Sequence, residues 1–271
     1  MAGVDTRWRL LTVLVVVVAL ALPVGVFLAA RHRRAAPGPP LPALATVRPT
    51  LDRVVAEVAV AVGTDAAVAL TAVVPATGCT RDRRTGTVYT RGLDIYTNRG
   101  GEDGLLGTIA GRLPAGYHAR RGTPAAGGAA PLTADPGGGV QLTVRQLGQG
   151  WLTATARTDC RGGTVTSAPA QASPDPAVAA TVTAILGRLH TGAVSWRRDQ
   201  VTCPAGTLAT TVALSGPTGV DDLPDRVGVP ATAREFAGAS GWVAYRDGAT
   251  SVVAAPTDDG SAVTVRYTSG C

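Results

Sequence analysis

Apolar residues recur at helical spacing in two separate stretches of this chain. In the first, residues 51–62, they fall on one face of a helix with a period of 3.6 residues. That stripe consists of Leu51, Val54, Val55, Val58 and Val62. Thr50 precedes the stripe and Gly63 follows it, and both residue types are typical of helix ends. We therefore predict a helix between Thr50 and Gly63.

The second stretch repeats this pattern in the other half of the chain. Ser173 and Pro174 suit the start of a helix, and Gly192 lies just beyond its predicted end. Its apolar stripe consists of Val178, Val182, Ile185, Leu186 and Leu189. A second long helix is predicted here.

Shorter segments after each helix are typical of strands. In the first half these are an apolar run that leads to Cys79, followed by residues 86–97, 140–146 and 151–158, with a short glycine-weakened helix around Leu105 to Leu113. In the second half they are residues 193–203, 207–214, 242–246, 251–255 and 262–268, with a proline-interrupted helical stretch at 221–227. The two halves therefore have a similar predicted order of elements.

Four cysteines occupy corresponding places in the two halves. In each half one cysteine follows the first strand and the other follows the last strand. The cysteines do not form a CxxC motif or lie near a histidine at zinc-ligand spacing, which favours disulfides over a metal site. Four cysteines allow three pairings, and the shared order favours Cys79–Cys160 and Cys203–Cys271.

These patterns predict an α+β fold with two similar modules, each an antiparallel sheet with helices on one face and one disulfide. The first module covers residues 50–160, a linker covers 161–176, and the second module covers 177–271. The two halves share little residue identity, so a single α+β domain with fortuitously similar halves is the alternative.

An uncharged, apolar run at residues 10–30 precedes both modules. A helix of this length spans a hydrocarbon core of about 30 Å. The run exceeds the apolar region of a secretory signal, so we predict an uncleaved transmembrane anchor, with a cleaved signal peptide as the alternative. Residues 1–9 then form a short cytoplasmic N-terminus, and the proline-rich residues 31–49 form a spacer.

The orientation of the anchor rests on two opposing signals. Arg31, Arg33 and Arg34 follow the span and outnumber Arg7 and Arg9 before it, which by itself favours a cytoplasmic C-terminal region. Large domains translocate largely regardless of flanking charge, and disulfides require an oxidising compartment. The prediction is therefore a single-pass protein of the cell membrane with its C-terminal region outside the cytoplasm.

The positive charge belongs mainly to the flanks of the anchor. The formal net charge is +6, but six of the 25 basic residues and only one of the 19 acidic residues precede residue 50. The remainder holds 19 arginines against 18 acidic residues, which removes the main argument for a nucleic-acid partner. All basic residues are arginine, and the abundance of Ala, Gly, Val and Pro indicates a GC-rich bacterial genome.

Catalytic and metal-binding motifs are not evident. Of the three histidines, His32 lies beside the predicted anchor, His190 is interpreted as a helix-end residue, and His118 lacks a sequence-level partner. The string at residues 238–241 does not match a GxSxG nucleophile elbow. The acidic pairs at residues 102–103, 221–222 and 258–259 are interpreted as helix-end and turn residues rather than metal ligands. The prediction is a protein without enzymatic activity, cofactor or metal.

Clustered arginines form a candidate anion-binding surface for lipid headgroups or a cell-wall polymer, although a solvated face is the plainer interpretation. Its members are Arg81, Arg83, Arg84, Arg120, Arg121, Arg197 and Arg198. The most concrete functional hypothesis is a non-catalytic binding or assembly module of the bacterial envelope, with the membrane, an envelope protein or an anionic envelope component as partner. The alternatives are an envelope hydrolase with dispersed residues, for which His118 or an acidic pair would line a cleft, and a carrier of an apolar ligand.

Overall fold

A computed structural model describes residues 39–124, 127–163, 173–218, 223–237 and 241–271. These residues belong to two compact units. The larger unit comprises Leu41–Cys79 and Thr85–Cys271, and it contains both disulfides. The smaller unit comprises Met1–Pro40 with Thr80–Arg84, of which residues 39–40 and 80–84 are described.

Four α-helices are present in the described residues: α1 (Leu44–Val62), α2 (Glu102–Arg112), α3 (Pro176–Arg188) and α4 (Leu223–Val227). The predicted stripe of α1 is confirmed, since all five of its members are fully buried. Gly63 ends α1 with a φ of 61°, a conformation that glycine adopts without steric cost. At the start of α3, the Asp175 side chain accepts a hydrogen bond of 2.9 Å from the Ala177 N–H, which caps the helix.

The structure corrects the predicted start of α1. Residues 44–49 are helical rather than extended, and Ala43 occupies the N-cap position in place of Thr50. The apolar stripe continues one turn upstream to Val47, which is 2% exposed. Pro49 lies inside the helix and cannot donate to a carbonyl in the preceding turn. Burial of Val47 and Leu51 on either side of it offsets that loss.

The first half of the chain forms a seven-stranded sheet in the described residues. Its strands are β1 (Ala67–Leu70), β2 (Val74–Arg81), β3 (Arg84–Tyr96), β4 (Arg120–Arg121), β5 (Leu132–Gly137), β6 (Val140–Gly148) and β7 (Trp151–Thr158). Their order in the sheet is β1-β3-β7-β6-β5-β4, and β2 also pairs with β3. The pairs β1–β3, β3–β7, β7–β6, β6–β5 and β5–β4 are antiparallel. Helices α1 and α2 cover one face.

The second half forms a six-stranded sheet in the part that the structure describes. Its strands are β8 (Ala193–Cys203), β9 (Gly206–Ser215), β10 (Arg234–Ala237), β11 (Val243–Asp247), β12 (Thr250–Pro256) and β13 (Val263–Ser269). The order is β10-β11-β12-β13-β9-β8, again antiparallel. Helices α3 and α4 pack on one face. The predicted antiparallel sheets are confirmed, and helices pack against each of them.

The two sheets have the same strand order along the chain. In each sheet, the first edge segment pairs with the strand that follows it in the chain. The last strand of that half lies on the other side of this strand, and the three strands that precede the last one continue outward in reverse order. The segment β1–β2 takes the place of β8. A helix precedes each sheet, and a second helix follows the second strand position.

Two disulfides join the positions that the sequence pattern paired. Cys79 is bonded to Cys160 with a Cα–Cα distance of 5.8 Å, and Cys203 to Cys271 with a Cα–Cα distance of 6.2 Å. They close separations of 81 and 68 residues. Each links the first edge segment of a sheet to the end of its last strand, so the predicted pairing is confirmed.

The two halves pack against each other within the larger unit. Val201, Cys203 and Leu208 of the second sheet join the core that surrounds α1. Strand β1 is buried along its whole length, and the Leu70 N–H donates to the Thr210 hydroxyl at 2.9 Å. The predicted boundary at residues 161–176 stays a prediction, since residues 164–172 lie outside the described residues.

An aromatic cluster completes this contact. The Tyr96 ring stacks on Trp151 at 6.1 Å between centroids and meets Trp242 edge-on at 4.9 Å. Phe236 is fully buried beside them. Trp151 and Trp242 therefore serve the interior in this structure, as expected for large rings in a chain with few aromatics.

Three strands were missed by pattern reasoning: β4, β5 and β10. Each is short, and β4 and β10 form the outer edges of their sheets. Strand β5 contains Pro136 where the register with β6 shifts between Ala134 and Gly137. Proline is tolerated at such irregular places because no ladder hydrogen bond is needed there. These features hide the alternation that identifies longer strands.

The predicted transmembrane anchor, residues 10–30, lies outside the described residues, as does most of the spacer. Among the residues that are described, no helix has both the length and the apolar character required to cross a membrane.

We expect stability to fall at alkaline pH. Burial raises the pKa of Tyr96 above its usual value near 10, while the positive charge of Arg266 partly opposes this shift. The folded chain therefore holds this proton more tightly than the unfolded chain, so its contribution is present below pH 10 and is lost as pH rises above that value. The loss is at most about 1.4 kcal/mol per pH unit for each such tyrosine.

Urea unfolding at a series of pH values from neutral to strongly alkaline measures this slope. The variant Tyr96→Phe should show a shallower decline than the wild type. A decline of equal slope in both proteins would contradict the assignment to Tyr96. Burial also raises the pKa of Tyr245, so part of the decline should persist in the variant.

Candidate functional site

The seven arginines of the predicted anion-binding surface are distributed over the smaller unit and both sheets. Arg81, Arg83 and Arg84 belong to the smaller unit. There Arg81 forms an ion pair with Asp82 at 3.9 Å, and none of the three arginines is without a partner. Their role in binding stays a prediction.

Two further members of the predicted surface have structural partners. The Arg121 guanidinium forms an ion pair with Asp103 and donates to the Ala130 carbonyl at 3.0 Å. The Arg197 guanidinium donates to Asp199 at 3.2 Å. These pairs hold α2 to the segment before β5 and brace β8, respectively. Their positive charge is largely compensated within the molecule.

Arg120, by contrast, lies on an exposed sheet surface. It is opposite Thr133 in the β4–β5 pairing, and directly opposed residues of antiparallel strands project to the same side. The same side of the first sheet carries the outward residues of β5, β6 and β7, whereas Leu142 and Val144 on the other side are buried under the helices. We name the outward side chains of β4, β5, β6 and β7 the open face.

The strand registers align a row of residues across the open face. Arg120 is opposite Thr133, Thr133 is opposite Thr143, and Thr143 is opposite Thr155. Thr155 is opposite Gly92 of β3, where the row reaches the centre of the sheet. Because adjacent strands lie about 4.8 Å apart, the row measures about 20 Å from β4 to β3.

Arginines flank this row on both sides. Arg145 follows Thr143 by two residues on β6, and Arg157 follows Thr155 by two residues on β7. Since β6 and β7 are antiparallel, the two arginines lie on opposite sides of the row. Both are exposed.

Arg120, Arg145 and Arg157 share a further property. Each is exposed, and no ion pair or hydrogen bond joins its side chain to another residue in the described ranges. Nearby Asp94 does not compensate them, because the Arg266 guanidinium binds its carboxylate at 2.5 Å. The open face therefore carries positive charge that the described part of the molecule leaves unpaired.

A cleft of about 470 Å³ lies at the β4 end of the open face. The residues that line it are His118, Arg120, Thr133, Ala134, Asp135, Gln141, Leu142 and Thr143. Asp135 is partly occupied with its own turn, since its carboxylate accepts the Gly137 N–H at 3.0 Å. The lining thus includes two hydroxyls, one amide and the Arg120 guanidinium, which suit a polar ligand with negative charge.

Two of the three histidines, His118 and His190, lie in the described residues. His118 follows the 3₁₀ turn Ala115–Tyr117 with a φ of 49°, and its exposed imidazole makes no hydrogen bond to another described residue. His190 lies just past α3 with a φ of 57°, as expected for a helix-end residue. His32 lies outside the described residues, as do residues 238–240, which belong to the string that does not match the GxSxG motif.

The acidic pairs divide between structural roles. Glu102 is buried and accepts the Gly150 N–H at 2.5 Å, which ties α2 to the β6–β7 turn. Asp259 accepts from the Thr257 hydroxyl and the Ser261 N–H, and these bonds lower its pKa to about 2. Asp221 and Asp222 lie outside the described residues. Among the residues that can be described, no three His, Cys, Asp or Glu side chains group as metal ligands.

Arg145 and Arg157 were missed by pattern reasoning, which searched for arginines adjacent in sequence. The strand alternation contained the relevant signal. Both arginines occupy polar, outward positions of predicted strands whose apolar positions face the core. Alternation places them on a solvent face, but only the pairing of β6 with β7 brings them to the same threonine row.

Comparison of the chain with models of known protein families, with curated proteins and with solved structures finds no match.

Proposed function

We propose that this chain is a non-catalytic binding module of the bacterial cell envelope, tethered to the membrane, whose open face binds an anionic envelope polymer. One observation carries the proposal: Arg120, Arg145 and Arg157 lie on a single exposed sheet face without ion-pair partners in the described residues. Arginine is well suited to carboxylate and phosphate groups because its planar guanidinium donates several hydrogen bonds.

The contrast with two other arginines of the predicted surface supports this choice. Arg121 and Arg197 are paired with acidic side chains inside the molecule, so their charge is not available at full strength. The three arginines of the open face border a row of hydroxyls and one polar cleft. A ligand of opposite charge would satisfy all three at once.

The tether and location rest on sequence features. Residues 10–30 form the proposed single-pass anchor, and residues 31–271 lie outside the cytoplasm, beginning with a spacer that ends before α1. Two disulfides support an oxidising compartment.

The shared strand order supports two related modules. In the second module the corresponding face contributes Phe236, Ala244 and Val253 to the contact with β1 and Tyr96. In the first module the outward side chains of β5, β6 and β7 stay half-buried or exposed. Related modules would thus have taken different roles, one for support and one for binding.

A double variant tests the proposal. Arg145→Gln with Arg157→Gln should lower the affinity of the full chain, held in a non-ionic detergent, for polygalacturonate by about tenfold or more. Exposed ion pairs contribute up to about 1 kcal/mol each, and about 1.4 kcal/mol corresponds to tenfold. Wild-type binding should also weaken as salt rises from about 0.1 to about 1 M, because exposed charges are screened. Isothermal titration calorimetry gives both quantities.

Arg198→Gln is the matched control. Arg198, the remaining arginine of the predicted surface, is exposed on β8 of the second sheet and lies outside the open face, so its substitution should leave affinity within about twofold of wild type when the open face is the site. Equal losses in this control and in the double variant would refute the open face as the site. Binding to vesicles of anionic phospholipid is measured separately. Tight binding to these vesicles that depends on Arg145 and Arg157 would identify lipid headgroups, rather than a polymer, as the ligand of the open face.

A hydrolase is the second candidate, because His118 and Asp135 line the same cleft. The described residues provide no hydrogen-bond partner that would orient the His118 imidazole, which makes binding the better-supported function. Measurement of the polygalacturonate chain length before and after incubation distinguishes the two. Shortened chains in the wild type but not in His118→Gln would favour hydrolysis.

A further inference from the structure

We infer that the open face recognises a hydroxyl-bearing polyanion, such as an acidic polysaccharide, whose chain runs across the strands along Thr133, Thr143 and Thr155. This inference rests on the proposed function and adds what kind of polymer the site selects. The three residues are called the threonine row below.

The hydroxyls of the threonine row are available for a ligand. Thr133 is exposed, and Thr143 and Thr155 are half-buried. No hydrogen bond joins any of these three hydroxyls to another residue in the part of the chain that the structure describes. A hydroxyl both donates and accepts a hydrogen bond, so it matches the hydroxyls of a sugar chain. A polymer with carboxylates alone presents only acceptors.

The row is also continuous from strand to strand. The opposed pairs Thr133–Thr143 and Thr143–Thr155 place one threonine on each of three neighbouring strands. Their spacing of about 5 Å repeats from strand to strand. A linear polymer with a regular repeat can therefore contact successive threonines, which a compact ligand cannot do.

At its inner end the row keeps its polar character. Gly92 lies opposite Thr155, and its N–H donates to the Thr71 hydroxyl at 2.9 Å. A Cβ at Gly92 would come within 2.9 Å of that hydroxyl oxygen, so glycine leaves the space that Thr71 occupies. The row thus ends on a further threonine rather than on an apolar side chain.

The charges are arranged for a chain that lies along this line. Arg120 is at the outer end of the row, and Arg145 and Arg157 are on its two sides. A polymer that bears acidic groups on alternating sides could place its backbone over the hydroxyls and its charges against the arginines. The cleft beside Arg120, lined by Gln141 and Thr133 among others, would hold one unit of the chain.

A pair of matched polymers tests this inference on the full chain in non-ionic detergent. Polygalacturonate and polyacrylate both carry carboxylates, but only polygalacturonate carries hydroxyls. The wild type should bind polygalacturonate more tightly than polyacrylate at equal carboxylate concentration. Neutral dextran should bind at least tenfold more weakly than polygalacturonate, because it lacks the charge that the arginines require.

The variant Thr143→Val with Thr155→Val removes two hydroxyls while keeping side-chain shape and a strand-favouring residue. Its affinity for polygalacturonate should fall about tenfold, and its affinity for polyacrylate should stay within about twofold of wild type. Thr264→Val, at a half-buried threonine of β13, is the matched control and should change neither. Unchanged circular dichroism and melting temperature verify the fold.

The outcomes separate this inference from the proposed function. The proposed recognition of ligand hydroxyls by the threonine row is refuted if the threonine variant binds polygalacturonate as tightly as the wild type does. It is also refuted if the variant loses affinity for polygalacturonate and polyacrylate equally. If Arg145→Gln with Arg157→Gln still weakens the binding of both polymers in that case, the anion-binding function is supported without a role for the threonine hydroxyls. If neither polymer binds to the wild type, both proposals fall together.

Discussion

Replacing Cys203 and Cys271 together by alanine should lower the free energy of unfolding by about 4 kcal/mol. The disulfide closes a separation of 68 residues. In the chain-entropy account, a crosslink of this length restricts the unfolded ensemble by that amount. The loss should be clear because a typical domain has only about 5–15 kcal/mol of stability in total. Guanidinium unfolding of wild type and variant, monitored by circular dichroism, measures the difference.

A neighbouring pair of substitutions provides the control. Thr202→Ala with Ser269→Ala alters residues next to the same disulfide without breaking it, and should change stability by less than about 0.5 kcal/mol. Addition of a reducing agent should bring the wild type to the stability of the cysteine variant or lower, since it also opens Cys79–Cys160. A cysteine variant as stable as the wild type would contradict the pairing in this structure.

Replacing Asp52 by asparagine should cost about 3 kcal/mol, the second large effect. The Asp52 carboxylate on α1 accepts from the guanidinium of Arg91, which is 3% exposed on β3. The same guanidinium donates to the Gln200 carbonyl of β8 at 2.8 Å. Removal of the carboxylate leaves Arg91 as a buried charge without compensation, and breaking such a pair typically costs 3–5 kcal/mol. Partial exposure of Asp52 places the expected value at the lower end.

Two variants sharpen this test. Asp65→Asn breaks the pair with Arg112, whose N–O distance is 3.8 Å and whose side chains are about half exposed. It should cost less than about 1 kcal/mol. In the background of Asp52→Leu, the change Arg91→Met should recover most of the lost stability, because apolar side chains replace buried ion pairs at little cost. No recovery would mean that Arg91 contributes through other contacts.

This buried pair also shows how the site is supported. Arg91 joins α1, the first sheet and the second sheet at one point. Two residues after Arg91 on β3, Leu93 is buried in the core. The residue between them, Gly92, lies opposite Thr155, from which the row continues to Thr143. The open face thus lies on a sheet whose other side is fixed by α1 and the second half of the chain. A rigid base of this kind favours a preformed binding surface.

The sequence predicted the long elements well because their signals are local. The stripe from Leu51 to Val62 and the alternation in β6, β7 and β13 are each contained within one segment. Periodicity of this kind follows from the geometry of a single helix or strand. The start of α1 was missed because proline at residue 49 is a strong signal for a helix end, and burial of Val47 overrides it.

The candidate site was only partly predictable for the opposite reason. Arg120 was among the predicted surface residues, whereas Arg145 and Arg157 were not, although these two are only 12 positions apart in the sequence. Their meeting depends on the register of β6 with β7, and a shift by one residue would turn one of them toward the core. Strand register is determined by interactions across the whole sheet rather than by the sequence of one segment.

By itself, the sequence determined the helices and most strands of this protein, the antiparallel α+β class and the disulfide pairing, because each follows from local periodicity or from the order of elements along the chain. Only the tertiary structure decided that α1 and β1 join the two halves, that Arg121 and Arg197 are paired, and that Arg120, Arg145 and Arg157 share one face. These features depend on contacts between distant segments, and neither strand register nor side-chain pairing across such distances is encoded in a local pattern.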